Sequence, residues 1–191
     1  MCVNVKYGIW NVNEPDPSAV NTLVGSGYAP LAAMVLASRG ICNNKQAHKY
    51  LDCDAALPDP FLMTDMDKAA GRVGLAMAMG EKIAVFGDYD VDGITSTCLL
   101  TDFLRRHGAN VVSYIPGRLE EGYGLNPIAI DQLHREGVNL IVTVDCGITA
   151  VDEAEYAREL GIDMVITDHH ECKDVLPRAA AIVDQIGRAH V

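Results

Sequence analysis

Carboxylates and imidazoles that could hold metal ions are concentrated in three short segments of the chain. The segment GDYDVDG at 87–93 has three aspartates, DCG at 145–147 has one, and DHHE at 168–171 has one aspartate with two histidines. Oxygen ligands together with one or two imidazoles suit Mn²⁺ or Mg²⁺, and two such ions held close together form a centre for phosphoryl transfer. The residues in question are Asp88, Asp90, Asp92, Asp145, Asp168, His169 and His170.

Each of these segments follows a run of residues that predicts a buried β-strand. Short, nearly continuous apolar runs rich in Val and Ile suit strands buried on both faces of a parallel sheet. Such runs are KIAVFGD at 82–88, NVVSYIP at 110–116, NLIVTVD at 139–145, DMVITD at 163–168 and AAAIVD at 179–184. Helical stretches lie between them at 94–107, 127–136 and 150–160, each followed by a glycine. The alternation predicts an α/β fold with a doubly wound, mainly parallel five-stranded sheet.

The predicted strand ends would place the three segments at one edge of the sheet. In an open α/β sheet, ligands bind outside the carboxyl ends of the strands. Aspartates gathered there would repel one another unless cations lie between them, which favours a metal centre.

The first 80 residues differ in pattern and predict helices rather than strands. Apolar residues at helical spacing occur at 18–38, 43–51 and 64–79, with turn signals between the segments. We expect a helical N-terminal region at 1–80, the first part of the sheet domain at 81–184, and a tail at 185–191. The tail contains IGRAHV, which matches the translation of a common sequencing adapter, so we expect it to be non-native.

Composition excludes several classes of protein. Of 191 residues, 49% are apolar and 21% are charged, which is enough apolar material for a core and excludes wholesale disorder. Lys and Arg number 15 against 26 Asp and Glu, so the net charge of −11 excludes a bulk basic surface for nucleic acid. No apolar run approaches the roughly 20 residues of a membrane span, and no signal peptide is evident, so we expect a cytoplasmic protein. The six cysteines form no CxxC pair, which argues against zinc, and without a secretory signal we do not expect a disulfide framework.

The acidic segments also have structural interpretations. A single aspartate after a parallel strand commonly caps the next helix, and Asp145 or Asp168 taken alone fits that role. The pattern DxDxDG also resembles part of a calcium-binding EF-hand loop, but Leu99 stands where that loop needs its Glu, and a strand precedes it. The joint arrangement at three strand ends favours catalytic metal ions over these alternatives.

The segments GDYDVDGITST, TVDCGI and TDHHE resemble the first three motifs of the DHH phosphoesterases. Within that superfamily, the chain is most similar to the RecJ-like, single-strand-specific exonucleases, a similarity that extends to about residue 184. It is carried by LASRGI at 36–41, LPDPFLMTDMDKAAGRV at 57–73, YIPGRLEEGYGLN at 114–126 and LGIDMVITDHHE at 160–171. The resemblance implies the N-terminal part of a metal-dependent 5′→3′ exonuclease of DNA repair and recombination. It implies single-stranded DNA as the substrate of the full-length protein, with a single-strand-binding protein and a helicase as candidate partners.

The same resemblance assigns roles to individual residues around two Mn²⁺ or Mg²⁺ ions. Asp145 would bridge both ions, and Asp168 would fix the orientation of His169. His170 would face the scissile phosphate, so that His170 and Asp145 are the implied catalytic residues. Arg118, just after a strand end, would contact phosphate. The implied metal ligands are Asp88, Asp90, Asp92, Asp145 and His169.

The chain departs from the family pattern after the fifth predicted strand. The family has a fourth metal-binding Asp further along and then additional domains, so we expect this chain alone to be inactive. Three alternatives stay open: a DHH phosphodiesterase of short oligonucleotides or cyclic dinucleotides, a DHH scaffold that has lost its metals, and a nucleotide-binding module. The intact motifs speak against the scaffold, and the missing glycine fingerprint weakens the nucleotide-binding module.

Overall fold

The computed structural model describes residues 2–5, 8–11, 14–51, 58–117 and 124–188. Contacts divide the chain into two compact units, Met1–Leu57 and Pro58–Val191, and each is described by itself. The domain limits at 80 and 184 stay predictions. The contacts place residues 58–80 in the same unit as the five-stranded sheet. No helix among the described residues is long and apolar enough to cross a membrane.

The first unit contains one strand pair and three short helices. Strands β1 (Cys2–Val5) and β2 (Gly8–Asn11) pair antiparallel, and the helices are α1 (Pro17–Gly25), α2 (Pro30–Ser38) and α3 (Asn44–Leu51). Leu23, Ala33, Leu36 and Ala47 lie in its apolar core. The helices agree with the predicted pattern. The strand pair does not follow from the sequence, because four-residue runs are too short to show a reliable period.

The second unit contains a five-stranded sheet with helices on both faces. A short 3₁₀ helix (Pro60–Leu62) opens the unit. The strands are β3 (Lys82–Gly87), β4 (Asn110–Tyr114), β5 (Leu140–Val144), β6 (Asp163–Asp168) and β7 (Ala181–Asp184). The helices are α4 (Met66–Met79), α5 (Val91–Arg106), α6 (Pro127–Arg135), α7 (Val151–Glu159) and the single turn α8 (Gln185–Arg188).

The sheet is parallel throughout, with strand order β4-β3-β5-β6-β7. The chain leaves β3 toward β4 on one side and then returns across β3 to β5 on the other. The strand order therefore reverses between β3 and β5, and such a switch point is where ligands bind in doubly wound folds. The predicted fold class is confirmed.

The core consists of two apolar layers, one on each face of the sheet. Alternate strand residues point to opposite faces, so strands covered on both sides must be apolar at nearly every position. On one face, Ile83, Val85, Val142 and Val165 pack with Ala69 and Ala76 of α4 and Leu104 of α5. On the other, Phe86, Ile141 and Ile166 pack with Ile130 and Leu133 of α6 and Ala157 of α7. Each large side chain buried in this way contributes about 1.5–3 kcal/mol of transfer free energy.

Helix α5 begins at Val91, earlier than the predicted residue 94. The Asp90 carboxylate accepts a hydrogen bond from the Gly93 N–H at 3.0 Å, which satisfies a donor that the first turn would otherwise leave unpaired. The first acidic segment is therefore partly inside a helix, and Asp92 lies in its first turn.

Candidate metal centre

Three adjacent strands deliver the acidic segments to one edge of the sheet. Asp88 follows β3 directly, Asp145 follows β5 directly, and Asp168 is the last residue of β6. Because β3, β5 and β6 are neighbours and parallel, their carboxyl ends lie side by side at the switch point. We call this the carboxyl edge, and the opposite side of the sheet the amino edge.

The centre of the carboxyl edge is a cluster of Asp145, His169 and His170. One ligand atom from each residue lies within 4.8 Å of the others. The Nε2 atom of His169 lies 2.8 Å from Oδ1 of Asp145. Asp145 is 8% exposed, whereas both histidines are exposed. The carboxylate of the cluster is therefore buried, and its two imidazoles face solvent. A divalent ion placed there would be accessible to a ligand from solvent.

Asp168 fastens the turn after β6 to the turn after β5. Its Oδ1 accepts hydrogen bonds from the N–H groups of His169 at 2.7 Å and His170 at 3.1 Å, and from the His170 ring Nδ1 at 2.7 Å. Its Oδ2 accepts the Ile148 N–H at 2.9 Å. Asp168 thus orients the ring of His170, whereas the ring of His169, which the resemblance paired with Asp168, contacts Asp145.

Asp90 joins the cluster from the loop after β3. Its carboxyl group lies within hydrogen-bonding reach of the Asp145 carboxyl group. The Gly93 N–H holds the pKa of Asp90 below its usual value, while burial and then the nearby Asp90 charge raise the pKa of Asp145. Two carboxyl groups this close are stable side by side only when a proton or a cation lies between them.

Asp88 is fully buried beneath this edge, and neither of its carboxylate oxygens has a hydrogen-bond partner. Oδ2 of Asp145 is buried without a partner as well. An ionised carboxylate deprived of water and of donors is costly unless a cation compensates it. Asp145, which lies in a cluster with two exposed imidazoles, fits a divalent ion by charge and by ligand chemistry, and Asp88 adds a second uncompensated carboxylate at the same edge.

One predicted metal ligand, Asp92, is not brought into the cluster. It is exposed in the first turn of α5. Arg118 lies outside the described residues. Asp88, Asp90, Asp145, His169 and His170 converge on the carboxyl edge, and Asp168 supports them.

Asp145 adopts a left-handed backbone conformation with φ of +61°. Non-glycine residues seldom do so, and aspartate is one of the few that tolerate it at modest cost. The Asp145 N–H still donates to the carbonyl of Thr167 at 3.1 Å, so β5 and β6 remain paired up to the residue that turns away. The strained residue is the one that supplies the central carboxylate, as is common at functional sites.

The loops after β5 and β6 also enclose a hollow of about 600 Å³. Its lining is Thr149, Val151, Asp152, Glu153, Lys173, Asp174 and Val175. Lys173 is the one cationic side chain in a lining with three carboxylates. Nearby Cys146 is buried, and burial raises the pKa of its thiol, so it is a core residue and not a nucleophile.

Residues 82–188 match the DHH family, N-terminal domain. The single-stranded-DNA-specific exonuclease RecJ of Bacillus subtilis is 44% identical over 176 residues, which cover 91% of this chain and 22% of that protein. The chain therefore spans about a fifth of the length of this relative.

The solved structures that are similar to the chain include two of RecJ. One is RecJ from Thermus thermophilus in complex with Mn²⁺, with a TM-score of 0.66 and 30% identity over 92% of this chain and 24% of that one. The other is exonuclease RecJ bound to manganese, with a TM-score of 0.60 and 38% identity over 64% of this chain and 31% of that one.

Proposed function

The chain belongs to the DHH family, and from this premise we propose that it is the N-terminal part of a metal-dependent exonuclease. The proposed reaction is 5′→3′ hydrolysis of phosphodiester bonds in single-stranded DNA by the whole protein. The observation that carries the proposal is the cluster of Asp145, His169 and His170 at the carboxyl edge, together with the buried, unpartnered carboxylate of Asp88 at the end of the neighbouring strand. The similarity to manganese-bound RecJ supports the same metal and the same substrate class.

The residues that would hold divalent ions are Asp90, Asp145 and His169, with Asp88 beneath them. Mn²⁺ or Mg²⁺ bound there supplies an activated water and stabilises charge on the phosphate. Asp145 is central because its two oxygens differ in their surroundings. Oδ1 contacts His169, whereas Oδ2 is buried without a hydrogen-bond partner. One carboxylate can therefore serve two ions.

His170 is held ready to contact a phosphate. The Asp168 carboxylate fixes its Nδ1, and this hydrogen bond raises the pKa of the ring. A raised pKa extends the pH range over which the ring is an imidazolium, the form whose Nε2–H donates to an anionic substrate. The role of His170 is to bind the scissile phosphate and to hold a proton at Nε2.

The finer parts of the proposal concern the whole protein. We place the reaction in the cytoplasm, on single-stranded DNA made in repair and recombination, with a single-strand-binding protein and a helicase as partners. Arg118 is retained as a proposed phosphate contact. The net charge of −11 and the acidic hollow provide no extended basic groove among the described residues. We therefore propose that other parts of the full-length protein bind the long DNA strand.

An exonuclease assay on the full-length protein tests the proposal. Long single-stranded DNA, labelled at the 5′ end in one sample and at the 3′ end in another, is digested with Mn²⁺. The 5′-labelled strand should release its labelled terminal mononucleotide as the first product, whereas the 3′-labelled strand should not. Asp145→Ala should abolish turnover, while Asp67→Asn, an exposed aspartate at the start of α4, should retain it. Cleavage confined to short oligonucleotides would contradict the exonuclease and favour a phosphodiesterase of small substrates.

A further inference from the structure

Three glycines at the carboxyl edge are packed so tightly that no side chain fits at their positions. A Cβ atom at Gly87 would collide with Oγ1 of Thr97, and one at Gly147 would lie 2.8 Å from Oγ1 of Thr143. A Cβ atom at Gly93 would collide with the carbonyl oxygen of Asp88. Glycines elsewhere, such as Gly74, Gly108 and Gly137, would meet nothing within 4 Å. Such close packing therefore coincides with the candidate metal centre.

Gly93 is distinctive because all three of its nearest obstacles are backbone atoms, whereas at Gly87 only the Gly93 carbonyl oxygen is a backbone atom. Besides the carbonyl oxygen of Asp88, the nitrogen of that residue would lie 2.6 Å and its carbonyl carbon 2.8 Å from an added Cβ. Backbone at the end of a central strand cannot move aside as the tip of a flexible side chain can. The first turn of α5 thus lies directly on the backbone of Asp88.

Helix formation does not explain a glycine at this position. Glycine is among the least favourable residues within a helix, and alanine is the most favourable. Gly93 lies in the first turn of α5 and is not among the glycines with positive φ, so alanine would suit its backbone conformation. The remaining reason for glycine is the contact with Asp88.

We propose that Gly93 is a positioning residue of the metal centre. Its missing side chain lets α5 approach Asp88, while its N–H binds the Asp90 carboxylate at 3.0 Å. One residue thereby sets the separation between the carboxylates of Asp88 and Asp90. This inference rests on the proposed function, since it takes the carboxyl edge to be a divalent-metal site.

The test compares Gly93→Ala with Gly74→Ala in the 191-residue chain, using calorimetric Mn²⁺ titration and the thermal midpoint of the metal-free protein. Gly74 is also helical, and nothing lies within 4 Å of its missing Cβ. Gly74→Ala should raise the midpoint by about 2–4 °C and leave Mn²⁺ affinity unchanged. Gly93→Ala should lower the midpoint and weaken Mn²⁺ binding by about 10- to 100-fold, the range for residues that orient ligands. Equal Mn²⁺ affinity in Gly93→Ala and the unaltered chain would overturn the inference.

A second pair of variants decides the matter if Gly93→Ala fails to fold. Gly147→Ala meets only side-chain atoms of Thr143 and Ile166, and Gly137→Ala is its control, since both glycines have positive φ and Gly137 meets nothing. Gly147→Ala should weaken Mn²⁺ binding more than Gly137→Ala, and adding Thr143→Ala should restore part of the loss. The same affinity in both single variants would overturn the idea that close packing at these glycines positions the centre.

Failure of the proposed function has a separate signature. If the unaltered chain binds no Mn²⁺, the metal centre itself is contradicted, whatever the variants do. If the unaltered chain binds Mn²⁺ and Gly93→Ala binds it equally well, only the positioning role is lost.

Discussion

Both edges of the sheet carry carboxylates, but the negative charges are compensated at one edge and not at the other. At the amino edge, Arg72 of α4 donates to Glu81 at 2.7 Å and to Asp163 at 2.7 Å. Lys82 lies 3.5 Å from Glu136 nearby. These carboxylates have a cationic side chain as a partner.

At the carboxyl edge, the carboxylates have no Lys or Arg partner among the described residues. Asp88 is buried with two unpartnered oxygens, and Asp145 contacts only His169 and another carboxyl group. The fold therefore neutralises charge internally where the role is structural and leaves charge uncompensated where a cation can enter. The comparison predicts that variants at the carboxyl edge change metal binding, whereas variants at the amino edge change stability.

The largest effect is expected from Asp145→Asn. Removing the central charge should abolish calorimetrically detectable Mn²⁺ binding, because Asp145 contacts both His169 and the Asp90 carboxyl group. The thermal midpoint of the metal-free chain should change little, since the repulsion with Asp90 disappears together with the His169 contact. Retained Mn²⁺ binding at unaltered affinity would remove Asp145 from the site.

A smaller loss of metal binding, accompanied by a loss of stability, is expected from Asp168→Ala. The variant leaves the Ile148 N–H and the His170 ring without their acceptor, which should cost about 1–3 kcal/mol of unfolding free energy. Mn²⁺ affinity should fall about 10- to 100-fold, because Asp168 no longer ties together the two turns that present Asp145 and His169. Urea denaturation and calorimetry measure the two effects separately, and a change in stability alone would make Asp168 purely structural.

At the amino edge, Arg72→Met should reduce stability without affecting the metal. The Arg72 side chain is 14% exposed, but its partner Asp163 is 56% exposed, so solvent screens part of the interaction. We expect a loss of about 1–2 kcal/mol of unfolding free energy, between the values for exposed and buried pairs. Mn²⁺ affinity should be unchanged, and a tenfold or larger decrease (about 1.4 kcal/mol of binding free energy) would show that the two edges are coupled.

The smallest effect is expected from Arg106→Ala at the end of α5. Arg106 pairs with Asp102 at 2.9 Å on an exposed helix surface. Pairs of this kind contribute about 0.3–0.5 kcal/mol, which salt screening diminishes further. Urea denaturation should give a difference that disappears in high salt, and a loss as large as that of Arg72→Met would contradict the ranking.

The strands and their ends are what the sequence predicts best. Runs such as 82–88 and 139–145 leave few alternatives to a buried parallel strand, and the carboxyl ends of parallel strands bring Asp88 and Asp145 to the same edge. Residue pairs distant in sequence are not predictable in the same way. The link from Arg72 to Asp163 depends on where α4 packs, and no local pattern encodes that position.

The orientation of side chains within the centre is also beyond the sequence. The left-handed conformation of Asp145 and the pairing of Asp168 with His170 depend on turns whose shape is fixed by contacts between strand ends. The resemblance pairs Asp168 with the ring of His169, whereas in the structure Asp168 contacts the ring of His170, and no sequence pattern distinguishes the two adjacent histidines. The crowding at Gly93 was not predictable either, because the predicted helix begins at residue 94 and leaves this glycine in the preceding loop, where glycine is ordinary.

A crystal structure of this chain grown with Mn²⁺, with anomalous differences measured at the manganese absorption edge, tests the central claim most directly. The account predicts an anomalous peak within coordination distance of Asp145 and His169, with Asp90 lining the same site. A peak only among Asp152, Asp174 and the other carboxylates of the hollow, or no peak at all at saturating Mn²⁺, would contradict it.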